Sequence, residues 1–158
     1  MLHKIPRSVL VVIHTPQKDV LLIERADEHG EPSGVWQSVT GSLDFEGESF
    51  HGCAAREILE ETGLDAFAPG HHLADWKLEN TYDIWPHYLH RYAPGITRNT
   101  ERVFGLCIPK PQPVQLAPRE HVNQIWLPWQ EAALKVRSAS NEAAIARLAN
   151  LRLLNADL

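Results

Sequence analysis

The segment from about Ser49 to Thr62 constrains this chain more than any other, because it reads as a helix and one of its faces is acid. At ~100° per residue, Glu57, Glu60 and Glu61 fall within an arc of roughly 100°, while Ala55, Ile58 and Leu59 lie on the other side. Gly63 follows, a residue suited to the left-handed conformation that ends a helix. Like charges three and four residues apart each cost an exposed helix roughly 0.2–0.5 kcal/mol, so the face is mildly unfavourable unless something positive sits at its centre. A hard divalent cation, which takes oxygen ligands, resolves the conflict. The plainer reading is a solvated face on which Arg56 pairs with Glu60 at i,i+4.

The rest of the chain supplies strands. Ser8–Ile13 and Asp19–Ile23 are short β-branched and apolar runs around Thr15-Pro16-Gln17-Lys18, which predicts a hairpin of buried strands. Asp27–Gly34 reads as a loop, and Trp36–Thr40 alternates like a half-buried strand. Further strands are predicted at Leu73–Leu78, His87–Tyr92, Glu101–Ile108 and Asn123–Leu127, with prolines at 109, 111, 113 and 118 breaking the chain between the last two. After Ser138-Ala139-Ser140-Asn141, apolar residues recur at helical spacing, which predicts an amphipathic helix over Ala139–Leu154. With 158 residues, no repeat and no linker, the expectation is one α+β domain spanning 1–158, a mixed sheet layered with helices.

Composition narrows the partners. A formal charge of −5 argues against gripping a nucleic acid polymer through a basic field, and no apolar run approaches the ~20 residues that span a bilayer. An acidic protein still binds a small polyphosphate when divalent cations bridge its carboxylates to the phosphate oxygens. Cys53 and Cys107 have apolar or small neighbours and read as buried thiols of a reducing compartment, so a cytoplasmic protein is expected. The nine histidines include no set with zinc-site spacing.

Glu48, seven residues, Arg56-Glu57-Ile58, one residue, Glu60-Glu61, one residue and Gly63-Leu64 resemble the box of the Nudix hydrolases, G-x5-E-x7-R-E-U-x-E-E-x-G-U with U a bulky aliphatic. The resemblance implies an α/β/α sandwich with a mixed sheet and a loop-helix-loop metal site, and hydrolysis of a diphosphate linkage. One position departs. The box glycine should fall at Ser42, whereas the glycine present is Gly41, so the loop before Glu48 is one residue longer than the pattern. Either Gly41 keeps its role through a bulge or Ser42 has replaced it.

Outside the box, Trp36–Ser42, His90–Glu101 with its Arg91-Tyr92-Ala93-Pro94-Gly95 string, Glu120-His121, Trp126-Leu127 and Ser140-Asn141 resemble the bacterial dihydroneopterin triphosphate diphosphatases of folate biosynthesis. The resemblance implies Glu57, Glu61 and Glu120 as metal ligands, with Glu60 an additional carboxylate and Mg²⁺ the ion, for which Mn²⁺ is a substitute. It gives catalytic roles to Glu57 or Glu60 as the base, with Arg56 orienting a glutamate. Lys4, Arg25, Thr40 and Ser138 align with substrate-contacting positions, and Tyr82 and Trp85 fall in the segment that contacts the heterocycle. Among Trp36, Trp76, Tyr82, Trp85 and Tyr92, most are expected in the core and one or two at the site. The partner implied is a small-molecule polyphosphate, and the oligomeric state is not readable. Two rival readings stay open: a broad nucleoside triphosphate pyrophosphohydrolase with dATP among its substrates, and a non-catalytic nucleotide-sensing module of the same fold.

Overall fold

The computed structural model describes residues 2–151. Seven strands, β1 (Arg7–His14), β2 (Asp19–Ala26), β3 (Pro32–Gln37), β4 (Val39–Ser42), β5 (His72–Asp83), β6 (Arg98–Cys107) and β7 (His121–Pro128), form one sheet in the order β3-β2-β1-β6-β5. Off that path, β4 pairs with β1 and β7 pairs with β2. Only the β1–β6 pairing is parallel, so the sheet is mixed. Helix α1 (Phe50–Thr62) covers one face, and α2 (Trp129–Lys135) with α3 (Ala139–Ala146) covers the other.

The central strand explains the layering. β1 reads Val-Leu-Val-Val-Ile with every one of these residues buried, as a strand covered on both faces must. Its odd residues Val9, Val11 and Ile13 join Ile58 of α1, Phe104 and Leu106, whereas Leu10 and Val12 join Val103, Ala144, Ile145 and Leu148. Two cores on opposite faces of one sheet make the α/β/α sandwich.

Helix α1 starts where Ser49 caps it, its side chain accepting from the Gly52 N–H at 2.9 Å. It stops at Gly63, whose φ of 73° lets its N–H bond back to the Leu59 carbonyl at 2.9 Å. Both ends match the sequence reading, but one side chain does not. Leu59 is 56% exposed, because the buried stripe runs through Cys53, Ala54, Ile58, Glu61 and Thr62 and turns Leu59 to solvent. A carboxylate, Glu61, is part of the buried stripe.

Other expectations are corrected as well. Trp36–Thr40 is not one strand: the chain changes partners at Ser38, leaving β2 for β1. Asn141 of α3 holds that switch, accepting from the Ser38 N–H and donating to its hydroxyl, both at 2.9 Å. Pro32–Gly34, expected in a loop, belongs to β3. His87–Tyr92 is not a strand but a 3-10 helix over Pro86–Arg91, started by a proline whose missing N–H is no loss in a first turn. Strand β5 continues past Leu78 to Asp83, α2 was not foreseen, and α3 ends at Ala146 before a 3-10 turn over Arg147–Asn150. Residues 152–154 of the predicted last helix lie outside the described residues. Cys53 and Cys107 are buried, and no disulfide joins them. Among the described residues no helix is long and apolar enough to cross a membrane.

Candidate active site

The site is organised by Arg56. Its guanidinium donates from Nε to Glu48 Oε2 at 2.8 Å and from Nη2 to Glu48 Oε1 at 3.0 Å, the two-pronged geometry that fits a carboxylate. The same Nη2 reaches the Ser42 carbonyl at 3.0 Å, and Nη1 donates to Glu57 Oε1 at 2.8 Å. Glu60 is a looser partner at 3.3 Å with its side chain 54% exposed. One arginine thus ties together the loop end, the helix and β4, and its own pKa is raised, chiefly by the Glu48 hydrogen bond. Glu48 in turn accepts from the Asp44 N–H at 2.8 Å, and its pKa is lowered, first by Arg56.

The loop closes through the Asp44–Glu48 hydrogen bond, and Gly41 lies against the helix. A Cβ added to Gly41 would lie 2.1 Å from Glu57 Cδ, so the Glu57 side chain occupies the space that any other residue at 41 would need. Ser42 supplies a carbonyl to Arg56 instead.

Glu61 lies deeper. It is 5% exposed, and Oε2 accepts from the Thr40 N–H on β4 at 3.3 Å. Burial, then the charges of Glu57 and Glu120, push its pKa up to about 9 against the pull of the Thr40 hydrogen bond and Arg25. Glu57 is pushed up to about 7 by burial, with Glu60 and Glu120 adding to the rise and Arg56 opposing it.

Glu120 arrives from the other end of the chain. The Ala26 N–H at the end of β2 donates to the Glu120 carbonyl at 2.9 Å and pins the turn that carries it. Glu61, Glu120 and His121 then present ligand atoms within 4.8 Å of one another, an arrangement with room for a cation. His121 was not singled out by the sequence reading. It sits beside Gln37 with Nδ1 lacking a hydrogen-bond partner among the described residues, and burial and Arg25 lower its pKa to about 4. Its only signal in the sequence was the Glu-His pair itself. Raised carboxyl pKa values at Glu57 and Glu61 and the Glu61–Glu120–His121 group fit a divalent cation.

Of the remaining predicted residues, Lys4 joins this neighbourhood: burial, then Arg91 and Arg25, lower its pKa, while Glu57 raises it. Arg25 acts electrostatically on Glu61, His121 and Lys4 alike. Thr40 meets the site through its backbone. Ser138 caps α3, its hydroxyl accepting from the Asn141 N–H at 3.3 Å. The Tyr82 hydroxyl accepts from Asn99 at 3.0 Å. Trp85 is 69% exposed just before the 3-10 helix, while Trp36 and Trp76 pack on the α3-side core. Glu57 and Glu60 both stand outside the Glu61–Glu120–His121 group, Glu57 tied to Arg56 and Glu60 at the rim.

This geometry agrees with what the chain is similar to. The NUDIX domain family model matches residues 4–148. Dihydroneopterin triphosphate diphosphatase of Escherichia coli strain K12 is 41% identical over 144 residues, 90% of this chain and 91% of that protein. The Haemophilus influenzae protein of the same name is 34% identical over 154 residues, 96% of this chain and 93% of the relative. The solved structure of the E. coli dihydroneopterin triphosphate pyrophosphohydrolase superposes with a TM-score of 0.81 at 38% identity, covering 96% of this chain and 100% of that one. A Glu48–Arg56–Glu57 brace, a helix presenting Glu57 and Glu61, and a family match over nearly the whole chain lead to one conclusion: this chain belongs to the Nudix family.

Proposed function

We propose that this enzyme hydrolyses dihydroneopterin triphosphate to dihydroneopterin monophosphate and diphosphate, with Mg²⁺ as its ion and Mn²⁺ as a substitute. The observation that carries the reading is the convergence of Glu61 with Glu120, residues far apart in sequence, beside Glu57 and two cations, Lys4 and Arg25. It is supported by relatives of that name at 41% and 34% identity.

Glu57, Glu61 and Glu120 would hold the metal, which when bound neutralises phosphate charge and lowers the pKa of a coordinated water. Arg56 is a positioning residue: it fixes Glu57 by a charge-assisted hydrogen bond and has no arm left over for substrate. Lys4 and Arg25 pair with phosphate oxygens. Glu60, exposed and held by no bond shorter than 3.3 Å, is free to accept the proton of the attacking water. The water oxygen bonds to the phosphorus on one side of the α–β bridge, that P–O bond breaks, and the group on the other side leaves with the bridging oxygen, giving monophosphate and diphosphate. Thr40, Ser138, Tyr82 and Trp85 surround the organic end. The test is the ratio of kcat/KM for dihydroneopterin triphosphate over dATP with Mg²⁺. A ratio well above one supports the reading, and a preference for dATP overturns it in favour of a nucleotide-pool enzyme.

A further inference from the structure

Two buried acceptor atoms outside the catalytic cluster have no donor. Glu101 is 6% exposed and Asn99 is 3% exposed, yet Glu101 Oε1 and Asn99 Oδ1 lack a hydrogen-bond partner among the described residues. Both lie on the α3 face of β6, two residues apart, and so point the same way. An unpartnered buried acceptor costs about 1–3 kcal/mol, more for a charged group, so two side by side call for a ligand that supplies N–H groups.

Their place in the sheet points to which ligand. Ser42, Ser8, Glu101 and Asn80 stand opposite one another across β4, β1, β6 and β5 and form one transverse row. The row begins on the same strand whose Thr40 N–H holds Glu61, and Glu101 lies two strand spacings, about 10 Å, further across. A triphosphate whose phosphates engage Glu61 would bring its organic end toward this row, in which Ser8 and Glu101 are buried beneath α3. Glu101 is hydrogen-bonded to Asn80 and Ser140, and these two line an open cavity of about 260 Å³ whose other walls are Leu78, Val103, Ala143, Ala144 and Arg147; Glu101 lies behind that lining. The volume is just under the roughly 300 Å³ at which small-molecule pockets begin, room for a flat ring and not for a whole nucleotide.

We infer that Glu101, with Asn99, is a specificity-determining residue that reads the heterocycle of the substrate by accepting its adjacent N–H groups. The inference rests on the proposed function and sharpens it. A 2-amino-4-oxopyrimidine edge, as in dihydroneopterin and in guanine, carries a ring N–H beside an amino group, one donor for Glu101 Oε1 and one for Asn99 Oδ1. Adenine offers an amino donor beside a ring acceptor, which leaves one acceptor unpaired and sets a lone pair against it. Burial raises the Glu101 pKa while Ser140 and Asn80 pull it back, so these side chains hold the carboxylate without supplying the missing donor. The Asn99 amide is oriented by donating to Ser8 Oγ at 2.8 Å and to the Tyr82 hydroxyl at 3.0 Å, which leaves its carbonyl as the free end.

The experiment compares wild type with Glu101→Gln, which keeps shape but turns one acceptor into a donor. The expected result is a fall of at least ~10-fold in kcat/KM for dihydroneopterin triphosphate, with dATP changed by less than ~3-fold, and a matching loss in affinity for phosphate-free 7,8-dihydroneopterin titrated by fluorescence without metal. Equal losses on both substrates, or none on either, overturn the inference. Glu101→Asp, which keeps the charge but withdraws it by one methylene, must lose selectivity in the same direction and serves if the Gln variant fails to fold. Should wild type not turn over dihydroneopterin triphosphate at all, the proposed function fails by itself. GTP against ATP then decides Glu101 separately, a selective loss on GTP upholding it and a parallel loss refuting it.

Discussion

Gly41 and Glu57 compete for one volume: a Cβ on residue 41 would lie 2.1 Å from Glu57 Cδ, 2.3 Å from Oε1 and 2.5 Å from Cγ. The strand and the helix are fixed by their cores, so the flexible carboxylate is what must yield. Gly41→Ala is therefore expected to swing Glu57 away from Arg56 Nη1 while the fold stays in place. Turnover should fall at least ~10-fold with little change in Tm. A drop in Tm with unchanged kcat per folded molecule would show that residue 41 matters only to packing.

The raised pKa values of Glu57, about 7, and Glu61, about 9, make stability of the metal-free protein depend on pH. Both native carboxyls keep protons that the unfolded chain has already released above the ordinary 4.5, so their contribution is present below that value and is lost as pH rises through 7 and then 9. A divalent ion binds the deprotonated form and offsets this loss. The rise in Tm on adding Mg²⁺ should be larger at about pH 8.5 than at about pH 5.5, with proton release on loading near neutrality. Equal rises at both pH values would show that these carboxyls are not coupled to the ion.

Glu120 is exposed, and its structural bond to Ala26 uses the backbone carbonyl, which alanine retains. Glu120→Ala is expected to leave stability within about 0.5 kcal/mol of wild type. Mg²⁺ should nevertheless bind at least ~10-fold more weakly by calorimetry, and half-maximal activity should need correspondingly more of it. A metal titration indistinguishable from wild type would remove Glu120 from the ligand set.

What the sequence made legible is what local chemistry dictates. The helix start near Ser49, the Gly63 stop and the shared face of Glu57 and Glu61 follow from helical geometry and residue type alone. The partner switch at Ser38 was not legible, because Asn141 of α3, 103 residues away, determines it. Leu59 misled because periodicity fixes a direction around the helix without saying where the neighbouring sheet ends. His87–Tyr92 alternated like a strand but has no core to face, and a proline at its start turned it into a 3-10 helix. His121, Asn99 and Glu101 stood only within longer matching segments, because what sets each apart is a buried atom without a partner among the described residues, and a sequence does not display absent partners.

Where the substrate is cut tests the proposed hydrolysis most directly. Phosphorus NMR of dihydroneopterin triphosphate incubated with the enzyme and Mg²⁺ should show inorganic diphosphate and the monophosphate growing in equal amounts, with orthophosphate appearing only after inorganic pyrophosphatase is added. Direct appearance of orthophosphate with a dihydroneopterin diphosphate, or a substrate left intact by enzyme shown to bind Mg²⁺, would contradict it.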